Sequence, residues 1–243
     1  MVIPAYNEEK RLPPTLKSVA DWLTRAVPTW EILVVDDGSR DATGALVEAF
    51  SAARPNVRLL RNPGNRGKGY SVRHGMLRAS CEWVLFTDAD LSTPIDEVRK
   101  LADATARGQA VVAVGSRAVD RSLVSVHQSA FREFSGRLFN LVMRTATGLP
   151  FRDTQCGFKL YRADAAREIF SRQQLDGFSF DVEDLFIAQR LGLPAVEVPV
   201  RWANVEGTKV RAMEGLRSFA DLLRIRWYGL SGRYRAPAAA HAG

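Results

Sequence analysis

Asp88 and Asp90 are the two residues of this sequence best placed to do chemistry together. They end the apolar run Cys81-Glu82-Trp83-Val84-Leu85-Phe86-Thr87 and precede Leu91-Ser92-Thr93-Pro94. On an extended backbone, carboxylates at i and i+2 point the same way. Just past a buried strand they repel one another unless a divalent cation sits between them and a phosphate-bearing ligand, because hard cations take oxygen ligands. An isolated Asp-x-Asp is otherwise an ordinary acidic loop end, so its company decides the reading.

Two further clusters supply that company. Asp36-Asp37-Gly38-Ser39-Arg40-Asp41 reads as a strand end, a glycine turn and a helix start, with Ser39 or Asp41 as N-cap. Capping does not account for Asp36 and Asp37 together. A carboxylate at a strand end accepts from a base N–H or a ribose hydroxyl, and Asp36 is the better placed; Asp37 is left as a turn residue or a ribose contact. Asn65-Arg66-Gly67-Lys68-Gly69 is glycine-rich and basic at a helix start, where free N–H groups and the positive dipole end favour phosphate. Gly69 follows Lys68 where a Walker loop would carry Ser or Thr, so this is not a Walker loop.

The elements that position these clusters alternate. Strands are expected at Met1–Pro4, Glu31–Asp36, Val57–Arg61, Glu82–Thr87 and Ala110–Gly115, with helices near 9–26, 41–53, 67–79 and 95–106. Repeated strand and helix units build a largely parallel α/β sheet, whose ligands bind beyond the carboxyl ends of the strands. Pro4-Ala5-Tyr6-Asn7-Glu8 and both aspartate clusters fall at such ends. Past Gly115 the pattern changes: a helix carrying Phe131, Phe134, Leu138, Leu141 and Val142, a polar turn from Arg152 leading into a strand, a helix near 182–191 and a strand at Ala195–Val200. A last helix near 213–230 places Leu216, Phe219, Ala220, Leu223, Trp227 and Leu230 on one face with Arg217, Arg224 and Arg226 around it.

Composition sets bounds. A chain of 243 residues, 46% hydrophobic and 25% charged, can bury one substantial core. Cys81 and Cys156 have no paired spacing, which argues against a disulfide framework or zinc site and fits a reducing cytosol. There is no apolar run of about 18 residues and no basic, apolar leader, which predicts a chain that neither spans a membrane nor is exported. The net charge is +7, and residues 201–243 carry eight basic side chains against three acidic ones, which points to an anionic partner. No aromatic stacking platform or helix-turn-helix pattern accompanies the charge, so nucleic acid is not the expected partner.

In this order and at these intervals, Val2-Ile3-Pro4-Ala5-Tyr6-Asn7-Glu8, Asp36-Asp37-Gly38-Ser39, Asn65-Arg66-Gly67-Lys68-Gly69, Asp88-Ala89-Asp90 and Gly115-Ser116-Arg117 resemble glycosyltransferase family 2 enzymes of the GT-A fold. Arg152-Asp153-Thr154-Gln155-Cys156-Gly157-Phe158-Lys159 and the segment from Trp202 to Lys209 look like its dolichyl-phosphate β-glucosyltransferase branch, close to the polyprenyl-phosphate mannosyltransferases. The resemblance implies a GT-A domain over 1–212, with a nucleotide half to about 117 and an acceptor half after it, then a basic amphipathic helix with its flank over 213–235 and a tail over 236–243. It implies that Pro4, Tyr6, Asn7, Glu8 and Asp36 hold the uridine of UDP-glucose and that Lys68 lies near the nucleotide. Asp88 would contact ribose or diphosphate, and Asp90 would ligate Mg²⁺ or Mn²⁺. Ser92 stands where mannosyl relatives carry a metal-site Gln, and its hydroxyl would act through water. Arg117, Arg132, Lys159, Arg201 and Lys209 would hold the acceptor phosphate, and Asp153 would orient the reacting groups.

These implications lead to inverting transfer of a hexose to a polyprenyl phosphate at the cytosolic face of a membrane, with the last helix in the interface or packed on the sheet. A hydroxyl acceptor is the competing expectation, and it requires Glu183 or Asp184 as base; GDP-mannose is the competing donor, and a basic nucleotide-binding module is the non-enzyme alternative. His74 and His127 are expected to be surface or packed histidines. Relatives carry residues before the Val-Ile-Pro strand, whereas this chain begins inside it, so a shortened and lightly anchored first strand is expected.

Overall fold

A computed structural model describes residues 1–126, 140–205 and 212–235. Arg132, Lys209 and His127, with Phe131, Phe134 and Leu138 and the tail 236–243, lie outside the described residues. The chain alternates β1 (Val2–Ala5), α1 (Leu12–Ala26), β2 (Ile32–Asp36), α2 (Thr43–Ala52), β3 (Val57–Arg61), α3 (Lys68–Met76), β4 (Trp83–Thr87), α4 (Val98–Gly108) and β5 (Val112–Ser116). A short strand β6 (Val124–Val126), then β7 (Phe158–Arg162), α5 (Ala163–Phe170), α6 (Phe180–Arg190), β8 (Ala195–Pro199), β9 (Trp202–Ala203) and α7 (Ala212–Leu230) complete it.

Seven strands form one sheet in the order β3-β2-β1-β4-β7-β5-β8, and β6 and β9 pair in a small second sheet. All strands of the large sheet run parallel except β7, which lies antiparallel between β4 and β5. Successive side chains on a strand face opposite ways, and the sequence uses both faces. Val2, Leu33, Val84 and Phe86 join the core under α3, α5, α6 and α7, whereas Ile3, Val34 and Leu85 join the core under α1 and α4. This is why β2 reads as the uninterrupted run Ile-Leu-Val-Val-Asp, buried throughout.

The first strand is not lightly anchored. β1 lies inside the sheet between β2 and β4, the Met1 amine donates to Glu31 O at 2.7 Å, and Leu33 N–H donates to Met1 O at 2.8 Å. Strand order reverses its direction of growth between β1 and β4, which opens a crevice beyond their carboxyl ends. The Tyr6-Asn7 loop and the Asp88–Asp90 turn flank that crevice.

α7 packs on the rest of the domain through one face and leaves the other exposed. Leu222 and Ile225 are buried, and Gly229 sits so close to the Phe186 ring that a Cβ there would fall 2.7 Å from it. Leu223, Trp227 and Leu230 are exposed on the outer face, at 70%, 54% and 70%. Among the described residues no helix is long and apolar enough to cross a membrane.

Candidate active site

The residues that the resemblance implies for the donor gather at the ends of β1, β2 and β4. Asn7 adopts φ 53°, a left-handed conformation that asparagine tolerates. Its N–H donates to Ser39 Oγ at 2.9 Å and its Oδ1 accepts from Arg40 N–H at 2.8 Å, which ties the β1 loop to the β2 loop. Asp36 Oδ1 caps that turn by accepting from Ser39 N–H at 3.0 Å. Glu8 is buried, donates its N–H to Thr43 Oγ1 at 2.7 Å, and gives both carboxylate oxygens to Arg11 at 2.7 and 2.6 Å. It therefore braces the start of α1, where the resemblance implied a uridine contact.

Asp37 has a different task from Asp36. Its Oδ1 accepts from Arg66 N–H at 2.8 Å and from Asn62 Nδ2 at 2.7 Å, and its Oδ2 accepts from Gly67 N–H at 2.8 Å. One buried carboxylate thus sets the shape of the Arg66–Gly67 loop. Asn62 Oδ1 in turn meets His74 Nδ1 at 2.7 Å, so His74 is a packed histidine, its pKa lowered by burial and then by Arg78.

Asp88 and Asp90 do not lie on extended backbone. Leu91 N–H returns to Asp88 O at 3.4 Å and Leu91 has φ 48°, so the segment closes a turn. The turn lets the two carboxylates find different cations: Asp88 Oδ1 is 2.8 Å from Lys68 Nζ, and Asp90 Oδ2 is 4.0 Å from Arg11. Asp90 Oδ1 accepts from Ser92 N–H at 3.0 Å, Ser92 O accepts from Ala203 N–H at 2.9 Å, and Ala89 O accepts from Thr15 Oγ1 at 2.8 Å. Ser92 therefore contributes its backbone to the turn. Gly157 packs directly on Asp88, where any Cβ would collide with the carboxylate.

Lys68 is held from a direction that the motifs did not reveal. The loop before α6 receives the start of α3: Tyr70 N–H donates to Asp176 O at 3.2 Å, Gln173 Nε2 to Gly69 O at 3.0 Å, and Arg73 pairs with Asp176 at 2.8 Å. Phe86, Phe178 and Phe180 place their rings 5.3, 5.9 and 5.9 Å from Lys68 Nζ. Burial opposes this ammonium, but the carboxylates of Asp88 and Asp181 outweigh it and hold its pKa above the ordinary value.

Lys159, expected at the acceptor phosphate, lies in the core. It is 0% exposed and donates to Asp181 O at 2.9 Å, Asp181 Oδ1 at 2.7 Å and Asp184 Oδ2 at 3.0 Å. Asp184 also accepts from Tyr161 Oη at 2.6 Å. Burial pushes the Asp184 carboxyl up to about 6. Its neighbour Glu183 accepts from the N–H groups of Gln174 and Leu175 at 3.0 and 2.9 Å and from Tyr234 Oη at 2.8 Å. Burial drives its carboxyl up to about 7. The sequence motifs missed Asp181; its signal is the acid-dense stretch Asp181-Val182-Glu183-Asp184 inside an apolar helix, which demands a buried cation.

Arg117 and Asp153, the two residues implied for the acceptor and the reacting groups, meet each other. Arg117 Nε and Nη2 donate to the two Asp153 oxygens at 2.7 and 2.8 Å, and Arg117 N–H adds a third bond at 3.0 Å. Burial raises the Asp153 carboxyl, but Arg117 more than offsets this and holds it below the ordinary carboxylate range. The Arg117 guanidinium also sits 5.4 Å from the Trp202 ring. Arg201 stands apart at the surface, paired with Asp96 and, at 2.5 Å, with Glu97.

Residues 1–170 match the family model described as glycosyl transferase family 2. The chain is 37% identical over 240 residues to the dolichyl-phosphate beta-glucosyltransferase ALG5C of Trichomonas vaginalis, covering 95% of this chain and 71% of that one. It is 38% identical to the dolichyl-phosphate beta-glucosyltransferase of Mus musculus, over 97% of this chain and 76% of that one. The chain belongs to glycosyl transferase family 2. Among solved structures, mannosyl-3-phosphoglycerate synthase from Rubrobacter xylanophilus superposes with a TM-score of 0.66 at 18% identity, covering 100% of this chain and 77% of that one. Glucosyl-3-phosphoglycerate synthase from Mycobacterium tuberculosis, solved with Mn²⁺, UDP-glucose and phosphoglyceric acid, superposes with a TM-score of 0.61 at 19% identity, over 98% of this chain and 80% of that one. The GT-A fold expected from the family resemblance is the fold observed.

The Asp88–Asp90 turn of this family 2 transferase offers the oxygen ligands that a hard divalent cation takes. Asp88 and Asp90 offer oxygens from side chains that keep 36% and 22% of their exposure at the crevice. Among the described residues no group of three acidic, histidine or cysteine side chains forms a complete cage. A cation held by Asp88 and Asp90 would therefore need further oxygen ligands from outside the protein, as Mg²⁺ commonly takes from water and phosphate.

Proposed function

We propose that this family 2 glycosyltransferase transfers glucose from UDP-glucose to a dolichyl-type polyprenyl phosphate with inversion, giving a β-linked lipid-phosphate sugar. The observation that carries the choice of acceptor is the state of Glu183 and Asp184. Both are 0% exposed and fully engaged with backbone N–H groups, Lys159 and two tyrosines. A hydroxyl acceptor needs a base with access to its proton, and neither acid has it. A phosphate monoester arrives as an anion able to attack, so positioning replaces deprotonation.

Pro4, Tyr6, Asn7 and Asp36 frame the uridine, and Lys68 balances the diphosphate from the α3 start. Asp90, with Asp88 and the Ser92 hydroxyl alongside, would hold a divalent cation, Mg²⁺ or Mn²⁺, which would supply positive charge to the leaving diphosphate. As the diphosphate enters, Lys68 exchanges part of its contact with Asp88 for phosphate oxygens. Asp153 fixes the Arg117 guanidinium, which presents its remaining N–H donors to the acceptor phosphate; Arg132 and Lys209 are assigned to the same anion. Attack on the anomeric carbon from the side opposite UDP inverts its configuration. The relatives' names, dolichyl-phosphate beta-glucosyltransferase, support glucose and dolichyl phosphate as the substrates.

The outer face of α7 supports a place at the cytosolic membrane surface. Leu223, Trp227 and Leu230 form an exposed apolar stripe beside Arg224, Arg226 and Arg233, the last 5.0 Å from the Trp227 ring. Such a stripe suits the headgroup region of an anionic leaflet. The deciding experiment is incubation with a panel of UDP- and GDP-sugars, polyprenyl phosphate and Mg²⁺, followed by mass spectrometry of the lipid. Glucosyl lipid from UDP-glucose is the expected product, and no sugar on lipid from any donor overturns the reading.

A further inference from the structure

A half-open hollow of about 350 Å³ lies between the segment ahead of α4 and the small β6–β9 sheet, lined by Pro94, Ser122, Leu123, Ser125, Arg201, Trp202 and Ala203. This is the low end of the roughly 300–1,000 Å³ usual for small-molecule sites. Its polar side chains already have protein partners, most of them outside the lining. Ser125 Oγ donates to Trp202 O at 3.5 Å, Ser122 Oγ to Asp120 at 2.6 Å, and the Arg201 guanidinium is taken by Asp96 and Glu97. What the walls offer a ligand is mostly carbon: the Pro94 ring, the Leu123 side chain, the Trp202 indole and the Ala203 methyl.

The cavity is fastened to the reaction centre at three points. Ala203 N–H donates to Ser92 O at 2.9 Å, which joins the wall to the Asp90 turn. Val200 N–H donates to Ser116 O at 3.2 Å, which joins the β8–β9 link to the end of β5, one residue before Arg117. Trp202 lines the cavity and also carries the Arg117 guanidinium at 5.4 Å. An apolar slot and an arginine that share one indole match an amphiphile with a phosphate at one end and hydrocarbon behind it.

We infer that this cavity receives the first isoprene units of the acceptor chain while the phosphate lies on the Arg117 side of Trp202. The inference rests on the polyprenyl phosphate reading and makes the acceptor subsite specific for a prenyl chain. A free phosphate or a sugar phosphate has nothing to place there.

The test is calorimetric binding of inorganic, dimethylallyl, geranyl and farnesyl phosphates to the full chain, alongside UDP as a folding control. Affinity should rise with each added unit until the slot is full. Ala203→Phe fills the slot and should weaken farnesyl phosphate about tenfold or more, leaving inorganic phosphate and UDP unchanged, since lost apolar burial of this size is worth a factor of ten to two hundred. Ser125→Leu fills it from β6, the strand paired with β9, and decides the matter if Ala203→Phe loses UDP binding. Equal affinity of the unaltered protein for farnesyl and inorganic phosphate overturns the inference, as does unchanged farnesyl phosphate binding by the folded variants. Chain-dependent binding with no transfer of glucose would sink the proposed function and leave the slot standing.

Discussion

Asp90 and Lys159 show how differently two charged residues of one site can be employed. Asp90 keeps an oxygen towards the crevice while its other oxygen caps the turn at Ser92. Asp90→Asn retains the cap and loses the charge, so the fold should survive and turnover should fall by about two to three orders of magnitude, the usual cost of one removed electrostatic stabiliser. Titration of UDP-glucose with and without Mn²⁺ checks the cause, because the metal dependence of binding should disappear. Lys159 is the opposite case. It neutralises Asp181 and Asp184 where neither meets water. Lys159→Met leaves two buried carboxylates without their cation and should cost about 3–5 kcal/mol of stability, read by denaturant unfolding.

At the scale of elements, the start of α3 depends on the loop ahead of α6. A Cβ at Gly69 would stand 2.6 Å from Leu175 O and 2.8 Å from Phe180 Cβ. Backbone and packed ring cannot both yield, so Gly69→Ala should part α3 from that loop. The expected loss is about 1–3 kcal/mol in stability, with weaker UDP binding because Lys68 moves with α3. α7 carries the second test. Leu223→Ser with Trp227→Ser removes exposed groups, and its unfolding free energy should stay within about 0.5 kcal/mol of the parent while binding to anionic vesicles is lost. Leu222→Ala, on the inner face, should instead cost about 2–5 kcal/mol. Unchanged vesicle flotation by the double variant would reject the membrane role of that stripe.

The whole molecule carries a pH dependence whose sign follows from its buried acids. Glu183 and Asp184 bind protons more tightly when folded, at about 7 and about 6 against ordinary values of 4.5 and 3.8. Their contribution is therefore complete in acid and is lost as pH rises through those values. Asp181, raised by burial, acts with them, while His74 and the buried Met1 amine work against them, since their lowered pKa values favour the folded state as pH rises. Asp153 and Glu97 have lowered values and lose their contribution only as pH falls below the ordinary carboxylate range. The thermal midpoint should therefore peak in mild acid, near about pH 5, and decline towards about pH 8. Glu183→Gln should flatten that decline in a pH series of melting curves. The periodicity of the sequence by itself determined the alternating elements of the first half, because apolar runs such as Ile32–Val35 and polar strand ends record burial locally. It also placed the aspartate and glycine clusters at strand ends, since each lies within a few consecutive residues. Helix α5 and the β6–β9 pair escaped it, being short and defined by partners far along the chain. Only the tertiary structure decided that Lys159 is a core cation, that Glu183 and Asp184 are sealed, and that Arg117 is spent first on Asp153. The physical reason is the same for all three: the effect of a charge depends on which opposite charge and how much water surround it, and residues distant in sequence supply both.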